Sequence, residues 1–144
     1  MLRKSVLIQV KGTQVYPDGR EDKQDFQTIG SFYKRQGDYY IIYQESEATG
    51  MTGVSTTLRV EKNKLTLNRM GSAEQRQIFE PGVLYYSTYV TSFASIYLSA
   101  LTEEMEIGLT ELGGHITLKY NLFTDDEKIS QNTLMIMIKE DTPQ

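Results

Sequence analysis

Val54-Ser55-Thr56-Thr57-Leu58-Arg59-Val60 places Val54, Thr56, Leu58 and Val60 on one side of an extended chain. Glu61-Lys62-Asn63-Lys64 then turns it, and Leu65, Leu67 and Arg69 repeat the alternation on the way back until Gly71-Ser72 turns again. Successive side chains of a strand point to opposite faces, so a period of two interrupted by short polar turns reads as neighbouring antiparallel strands.

The same pattern extends in both directions. Upstream, Val6, Ile8 and Val10 alternate with Ser5, Gln9 and Lys11 up to the proline-led turn Tyr16-Pro17-Asp18-Gly19. Phe26, Thr28, Gly30 and Phe32 share the next face, and Arg35-Gln36-Gly37-Asp38 turns the chain into Tyr39 to Glu45, where Tyr39, Ile41 and Tyr43 oppose Tyr40 and Ile42. Glu47 to Gly53 reads as a loop or bulged continuation. Downstream, Gln75 to Phe79 is a short strand closed by Glu80-Pro81-Gly82, and Val83 to Thr91 carries Tyr85, Ser87 and Tyr89 on one side of the pleat. Residues 91–101 also fit helical spacing behind a Ser92 cap; we read strand from Ser95 onward. Met105, Ile107 and Leu109, then Ile116, Leu118, Tyr120 and Leu122, flank a Leu112-Gly113-Gly114 turn. After the polar Asp125-Asp126-Glu127-Lys128 turn, Leu134, Ile136 and Ile138 share one face of the last strand.

These runs predict about 8–10 strands, and a sheet of that length curls or closes to hide its edges. The expected fold is therefore all-β, a single up-and-down antiparallel β-barrel occupying residues 1–144 as one domain. Pro17, Pro81 and Pro143 all fall outside strand interiors, where an unbroken ladder tolerates them. Apolar residues make up 39% of the chain, ordinary for a folded domain once its 11 glycines are counted with them.

Several segments in order resemble the YwiB-like family of bacterial β-barrel proteins, a domain-of-unknown-function family grouped with the calycin-like barrels. They are Tyr43-Gln44-Glu45-Ser46-Glu47, Ser55 to Val60, Leu65-Thr66-Leu67-Asn68-Arg69-Met70-Gly71, Ile78-Phe79-Glu80 and Gly114-His115-Ile116-Thr117-Leu118-Lys119-Tyr120. The likeness covers nearly the whole chain. The family pattern around Tyr89 is similar to Tyr-x-Thr-Pro-x-Gly, whereas Tyr89-Val90-Thr91-Ser92-Phe93-Ala94 lacks the Pro and Gly. The resemblance implies a calycin-type, lipocalin-like barrel, supports strand over 95–101, and brings no activity, catalytic residue or cofactor.

Composition removes much chemistry. There is no Cys and one His, which excludes thiol catalysis, disulfides and most multi-histidine metal sites. His115 follows a Gly-Gly pair and reads as a solvent-facing or structurally bonded ring at a barrel rim, with no Ser or Cys motif beside it. Asp125-Asp126-Glu127, like Glu103, Glu104 and Glu106, lacks the spacing of a calcium loop. Gly50-Met51-Thr52-Gly53 lacks the lysine of a phosphate loop. We therefore expect no enzyme, metal or cofactor. The net charge of −4 disfavours nucleic acid, and residues 54–79, with five bases against two acids, hold only Phe79 for stacking. Residues 102–127 hold seven acids against Lys119. The opening Met1 to Ile8 mimics an export signal, but its apolar run stops at Gln9, short of the about 7–15 residues needed, so the expected location is cytoplasmic with no membrane partner.

Tyrosine is in excess, ten against five Phe and no Trp. A buried phenol needs a partner for its hydroxyl, so tyrosines that do not merely suit a sheet point to a lumen of mixed polarity. Arg69 continues the apolar face of Leu65 and Leu67, and an inward guanidinium must be paired or meet an anion. Arg69, Tyr85, Tyr89 and Tyr120 are the candidate ligand-binding residues. The expected function is non-enzymatic binding of a small amphipathic or anionic ligand in the barrel lumen. The alternative is a protein-interaction or assembly module using the outer sheet surface, with a second copy of the chain as candidate partner.

Overall fold

The computed structural model describes residues 2–141, apart from the side chain of residue 48; Met1 and Pro143 lie outside the described residues. Ten strands follow in order: β1 (Lys4–Val15), β2 (Glu21–Arg35), β3 (Asp38–Gln44), β4 (Val54–Val60), β5 (Leu65–Gly71), β6 (Ala73–Phe79), β7 (Leu84–Thr91), β8 (Ser95–Thr110), β9 (Gly113–Thr124) and β10 (Glu127–Glu140). Each pairs antiparallel with the next, and β10 pairs back onto β1, so the sheet closes into an up-and-down barrel without edges. The helical content of the described residues is one 3-10 turn, Glu47–Thr49, between β3 and β4. No helix is long and apolar enough to cross a membrane.

The period-two reading places the strand faces correctly. Ile8, Thr28, Ile41 and Leu58 sit inward, and the ladders bring Leu67 opposite Leu58, with Leu118 and Ile116 beside Leu134 and Ile136. Residues 95–101 are strand. Two details differ from the expectation. The turn before β9 is Glu111-Leu112, while Gly113 and Gly114 already belong to the strand, pressed against neighbouring backbone: a Cβ on Gly114 would stand 1.9 Å from the Gly108 carbonyl oxygen. In addition, β2 starts at Glu21, five residues before the apolar pattern begins, because Glu21 to Asp25 pair with Lys11 to Val15 in a polar extension of the wall.

One end of the barrel is solid. Val6, Ile8, Phe32, Ile41, Leu58, Leu65, Phe79, Ile116, Leu118 and Ile136 are essentially inaccessible there, which is the close packing expected of a small barrel interior. Gly30 makes room for it: a Cβ would lie 2.4 Å from the Ile42 carbonyl oxygen and 2.5 Å from Ile8 Cδ1. The other end, carrying the turns at 16–20, 45–53, 72, 92–94 and 125–126, presents polar side chains inward.

Three irregularities mark the wall, the first a slip between β10 and β9 where Lys128 pairs with Phe123 but Ser130 with Leu122. At Glu103 the β8–β9 register slips, so Thr102 pairs with Tyr120 while Glu104 pairs with Lys119. A bulge of this kind resets the alternation, which lets both Ala100 and Met105 face the same interior. Between β6 and β7 the ladder holds only two pairs, Ala73 with Thr91 and Glu74 with Val90; the next shortest ladders hold five. Beyond Glu74 that seam is bridged by side chains, the Gln75 amide donating to the Ser87 hydroxyl oxygen at 3.3 Å.

Candidate functional site

The polar end of the lumen contains a cavity of about 690 Å³. Its lining is apolar at Leu67, Phe79, Leu98, Leu122 and Leu134 and polar at Arg69, Gln75, Gln77, Tyr120, Gln14, Gln24 and Asn132. Met51, from the loop between β3 and β4, reaches its edge, and Asp22, Lys23 and Asp25 stand at the rim.

Arg69 is inward for the reason the strand pattern implies: β5 alternates rigidly, and Arg69 lies two residues beyond Leu67 on the same face. Its Nη1 donates to Gln75 Oε1 at 2.7 Å. Its Nε is buried without a partner, and among the described residues none of the ion pairs within 4.0 Å involves it. A buried donor without an acceptor costs about 1–3 kcal/mol, so the guanidinium is left with an unmet demand for an anionic or strongly accepting group.

Two phenols feel that charge. Burial pushes the Tyr120 hydroxyl above its ordinary pKa while the Arg69 cation pulls it down; its ring meets Phe79 at 4.7 Å, tilted by 52°. Tyr43 on β3 is raised as well, by burial first and by the Glu45 carboxylate second, again against Arg69. Glu45 is itself buried and accepts the Thr56 hydroxyl proton at 2.7 Å. A smaller void of about 60 Å³ separates this group from the guanidinium, lined by Tyr43, Glu45, Met51 and Arg69 among others. Thr102 Oγ1, one register pair from Tyr120, is a second buried polar atom without a partner.

On the opposite wall, Gln14 Nε2 and Asn132 Nδ2 both donate to the Ser130 hydroxyl oxygen, at 2.9 and 3.0 Å. The Tyr16 hydroxyl, which donates to Asp22 Oδ2 at 2.7 Å, stands 3.2 Å from the Gln14 carbonyl oxygen.

The structure thus brings together two of the four candidate residues, Arg69 and Tyr120. Tyr85 and Tyr89 share the inward register but do not line the cavity. Tyr85 lies towards the solid end, where its hydroxyl donates to Glu80 Oε1 at 3.0 Å and that bond raises its pKa; Tyr89 is opposite Ile96 near the end of the seam. The carboxamides Gln14, Gln24, Gln75, Gln77 and Asn132 escaped the sequence reading. The available signal was parity: Gln75 and Gln77 alternate in step with Phe79, and Gln14 in step with Val10. His115 is outside, its Nε2 3.0 Å from Glu106 Oε1 and its ring lying over Gly108. Among the described residues no group of three His, Cys, Asp or Glu is placed to hold a metal. The arrangement offers a buried cation, several amides and apolar surface around one cavity.

Comparison with known proteins agrees with this architecture. The family described as "Domain of unknown function (DUF1934)" matches residues 8–136. The chain is 27% identical over 123 residues to a Bacillus subtilis (strain 168) protein named "Uncharacterized beta-barrel protein YwiB", covering 85% of this chain and 84% of that one. The crystal structure of the ywiB protein from Bacillus subtilis superposes with a TM-score of 0.87 at 23% identity, over 97% of this chain and 94% of that one.

Proposed function

Since this chain belongs to the DUF1934 family, described only as of unknown function, we propose from its own geometry that it holds a small anionic or amphipathic molecule in its lumen without transforming it. The barrel would act in the manner of a calycin-type carrier, in the cytoplasm. One observation carries the reading: the guanidinium of Arg69 borders a cavity of about 690 Å³ with a neutral amide as its one hydrogen-bond partner among the described residues and a buried Nε left over. Desolvating a cation is unfavourable unless an anion compensates it, and the cavity falls within the about 300–1,000 Å³ of ordinary small-ligand sites.

The test is native mass spectrometry of freshly purified protein, extraction of any bound molecule, and a thermal-shift panel of anionic metabolites and lipids beside neutral analogues. Ligand at about 100 times its Kd would add about 2.7 kcal/mol of stability. We expect anions to stabilise the wild type and to lose that effect in Arg69→Met. A bare mass with no stabilisation by any compound overturns the reading.

A second reading, self-association through the outer sheet, draws on Ile29, Met135 and Met137, which are 52%, 39% and 45% exposed on neighbouring strands around a shallow groove at Leu7. A two-fold contact would cover that apolar face with its own copy. Light scattering that shows a monomer at every concentration removes this alternative.

A further inference from the structure

The lumen also specifies what kind of anion it takes. Resting on the ligand-binding reading above, we propose that the ligand is a monocarboxylate bearing a neutral O–H or N–H donor at its far end, with an apolar body between them. Three independent features of the cavity lead there.

The first is charge. Arg69 and Lys23 are the cations that line the cavity, against Asp22, Asp25 and, across the small void, Glu45, so the surroundings hold one more acid than base among the described residues. A phosphate monoester brings a charge of about −1.5 to −2 at neutral pH, more than one guanidinium neutralises beside those carboxylates. A carboxylate brings one. The second is the anchor. Gln75 Oε1 occupies Nη1 at 2.7 Å, and the same amide donates from Nε2 to Ser87 at 3.3 Å, so Gln75 is held at both ends and fixes the plane of the guanidinium. A planar fork presented in one orientation matches the two coplanar oxygens of a carboxylate.

The third is the far wall. Gln14 and Asn132 each turn one amide N–H onto Ser130, while the Tyr16 hydroxyl beside the Gln14 oxygen donates its proton to Asp22 at 2.7 Å. What this wall offers to the lumen is the Asn132 carbonyl, an acceptor, beside the second N–H of each amide, and a ligand O–H, which both donates and accepts, meets both. Between the two walls lie Leu67, Phe79, Leu122 and Leu134, which suit an apolar or aromatic middle. An unsubstituted fatty acid leaves the far carbonyl unpaired, and a neutral alcohol leaves Arg69 unpaired.

Four naphthalene probes separate these terms by fluorescence titration: 6-hydroxy-2-naphthoate, 2-naphthoate, 2-naphthyl phosphate and 2-naphthamide. We expect 6-hydroxy-2-naphthoate to bind about ten-fold more tightly than 2-naphthoate, the worth of one good hydrogen bond, and both carboxylates to bind more tightly than the phosphate or the amide. Asn132→Leu should bring the affinity ratio of the two naphthoates from about ten to about one, and Arg69→Lys should retain weak carboxylate binding that Arg69→Met lacks. Folding of each variant is checked by its melting temperature, and the four-probe ranking on the wild type stands without them. Tighter binding of the phosphate, or equal binding of the two naphthoates, overturns the monocarboxylate assignment while leaving a luminal site in place. Absence of binding by all four probes and by the broader anion panel overturns the ligand-binding reading itself.

Discussion

The amide of Gln75 donates to the Ser87 hydroxyl at 3.3 Å across the seam between β6 and β7, just where the backbone ladder between those strands has ended. Elsewhere the wall is closed by runs of main-chain bonds; here a side-chain contact stands in for them. A hollow of about 510 Å³ lies over the same seam, bordered by Arg76, Ile78, Tyr86, Tyr97 and Leu98. Segments with few buried backbone bonds open locally at the lowest free energy. Amides of residues 75–79 and 84–89 that face the seam are therefore expected to exchange with solvent faster than any in β9 and β10, where the ladder is long. Ser87→Ala removes the bridge, and should cost about 1 kcal/mol and raise exchange at the seam alone. Uniform protection around the barrel in hydrogen-exchange NMR would sink this picture.

Arg69 links that seam to the lumen, because the Gln75 side chain that reaches Ser87 also holds the guanidinium. A cation with one neutral partner and an unpartnered Nε serves stability poorly, and replacing such groups by apolar ones of similar volume is often neutral or stabilising. Arg69→Met is expected to raise the ligand-free protein's stability by about 1 kcal/mol, discounted for the partial exposure of the group, while ligand retention falls. Urea denaturation decides it. A loss of stability with unchanged retention would make Arg69 and Gln75 a structural pair.

How much of this was legible before folding depends on which coordinate of the barrel is asked about. The radial coordinate was readable: strict alternation through Leu65, Leu67 and Arg69 fixes which way each side chain points, even for an arginine, because the period of a strand is two whatever the residue. The axial coordinate was not. Tyr85, Tyr89 and Tyr120 all point inward, yet only Tyr120 reaches the cavity, since height along the barrel is set by the tilt and stagger of strands distant in sequence. Polar residues on inward positions, such as Gln14, Gln75 and Asn132, were likewise silent, because an amide is at home on either face. The slip at Glu103 was hidden for a related reason: residues on each side of it alternate normally, and the break in phase shows only against β9.

Two glycines that look alike in sequence should respond differently to alanine. A methyl on Gly30 would meet the Ile42 carbonyl oxygen at 2.4 Å and Ile8 Cδ1 at 2.5 Å, one of them backbone and the other buried core. Neither can withdraw, so Gly30→Ala should cost at least about 2 kcal/mol through overpacking. On Gly108 the clash is with the His115 ring, at 2.6 Å from Cε1, and that side chain is 44% exposed and free to swing away. The loss at Gly108→Ala should stay below about 1 kcal/mol and should break the His115–Glu106 contact. Equal losses in chemical denaturation would show that the outer face is as constrained as the core.

Alkaline pH should find the weakest part of the barrel's electrostatics in its tyrosines. Burial raises the pKa of Tyr43 and Tyr120, and hydrogen bonds to Asp22 and Glu80 raise those of Tyr16 and Tyr85, all from an ordinary value of 10.0. The protonated phenol is thus the form the fold prefers. Below pH 10 folded and unfolded chains both keep these protons, and the groups add no pH dependence. Above it the unfolded chain releases protons that the native state still holds, so ν_U falls below ν_N and stability declines as pH rises. Each of the two buried groups contributes a slope of about 1.4 kcal/mol per pH unit between its unfolded and folded pKa. Lysines titrate in the same range, so the informative quantity is a difference: Tyr43→Phe and Tyr120→Phe should each flatten the fall in melting temperature between about pH 9.5 and 11.5. Spectrophotometric titration at the phenolate absorption band should show the last tyrosines ionising together with unfolding. A Tyr43→Phe protein whose alkaline limb matches that of the wild type would mean that the Tyr43 phenol ionises as freely inside the barrel as in water.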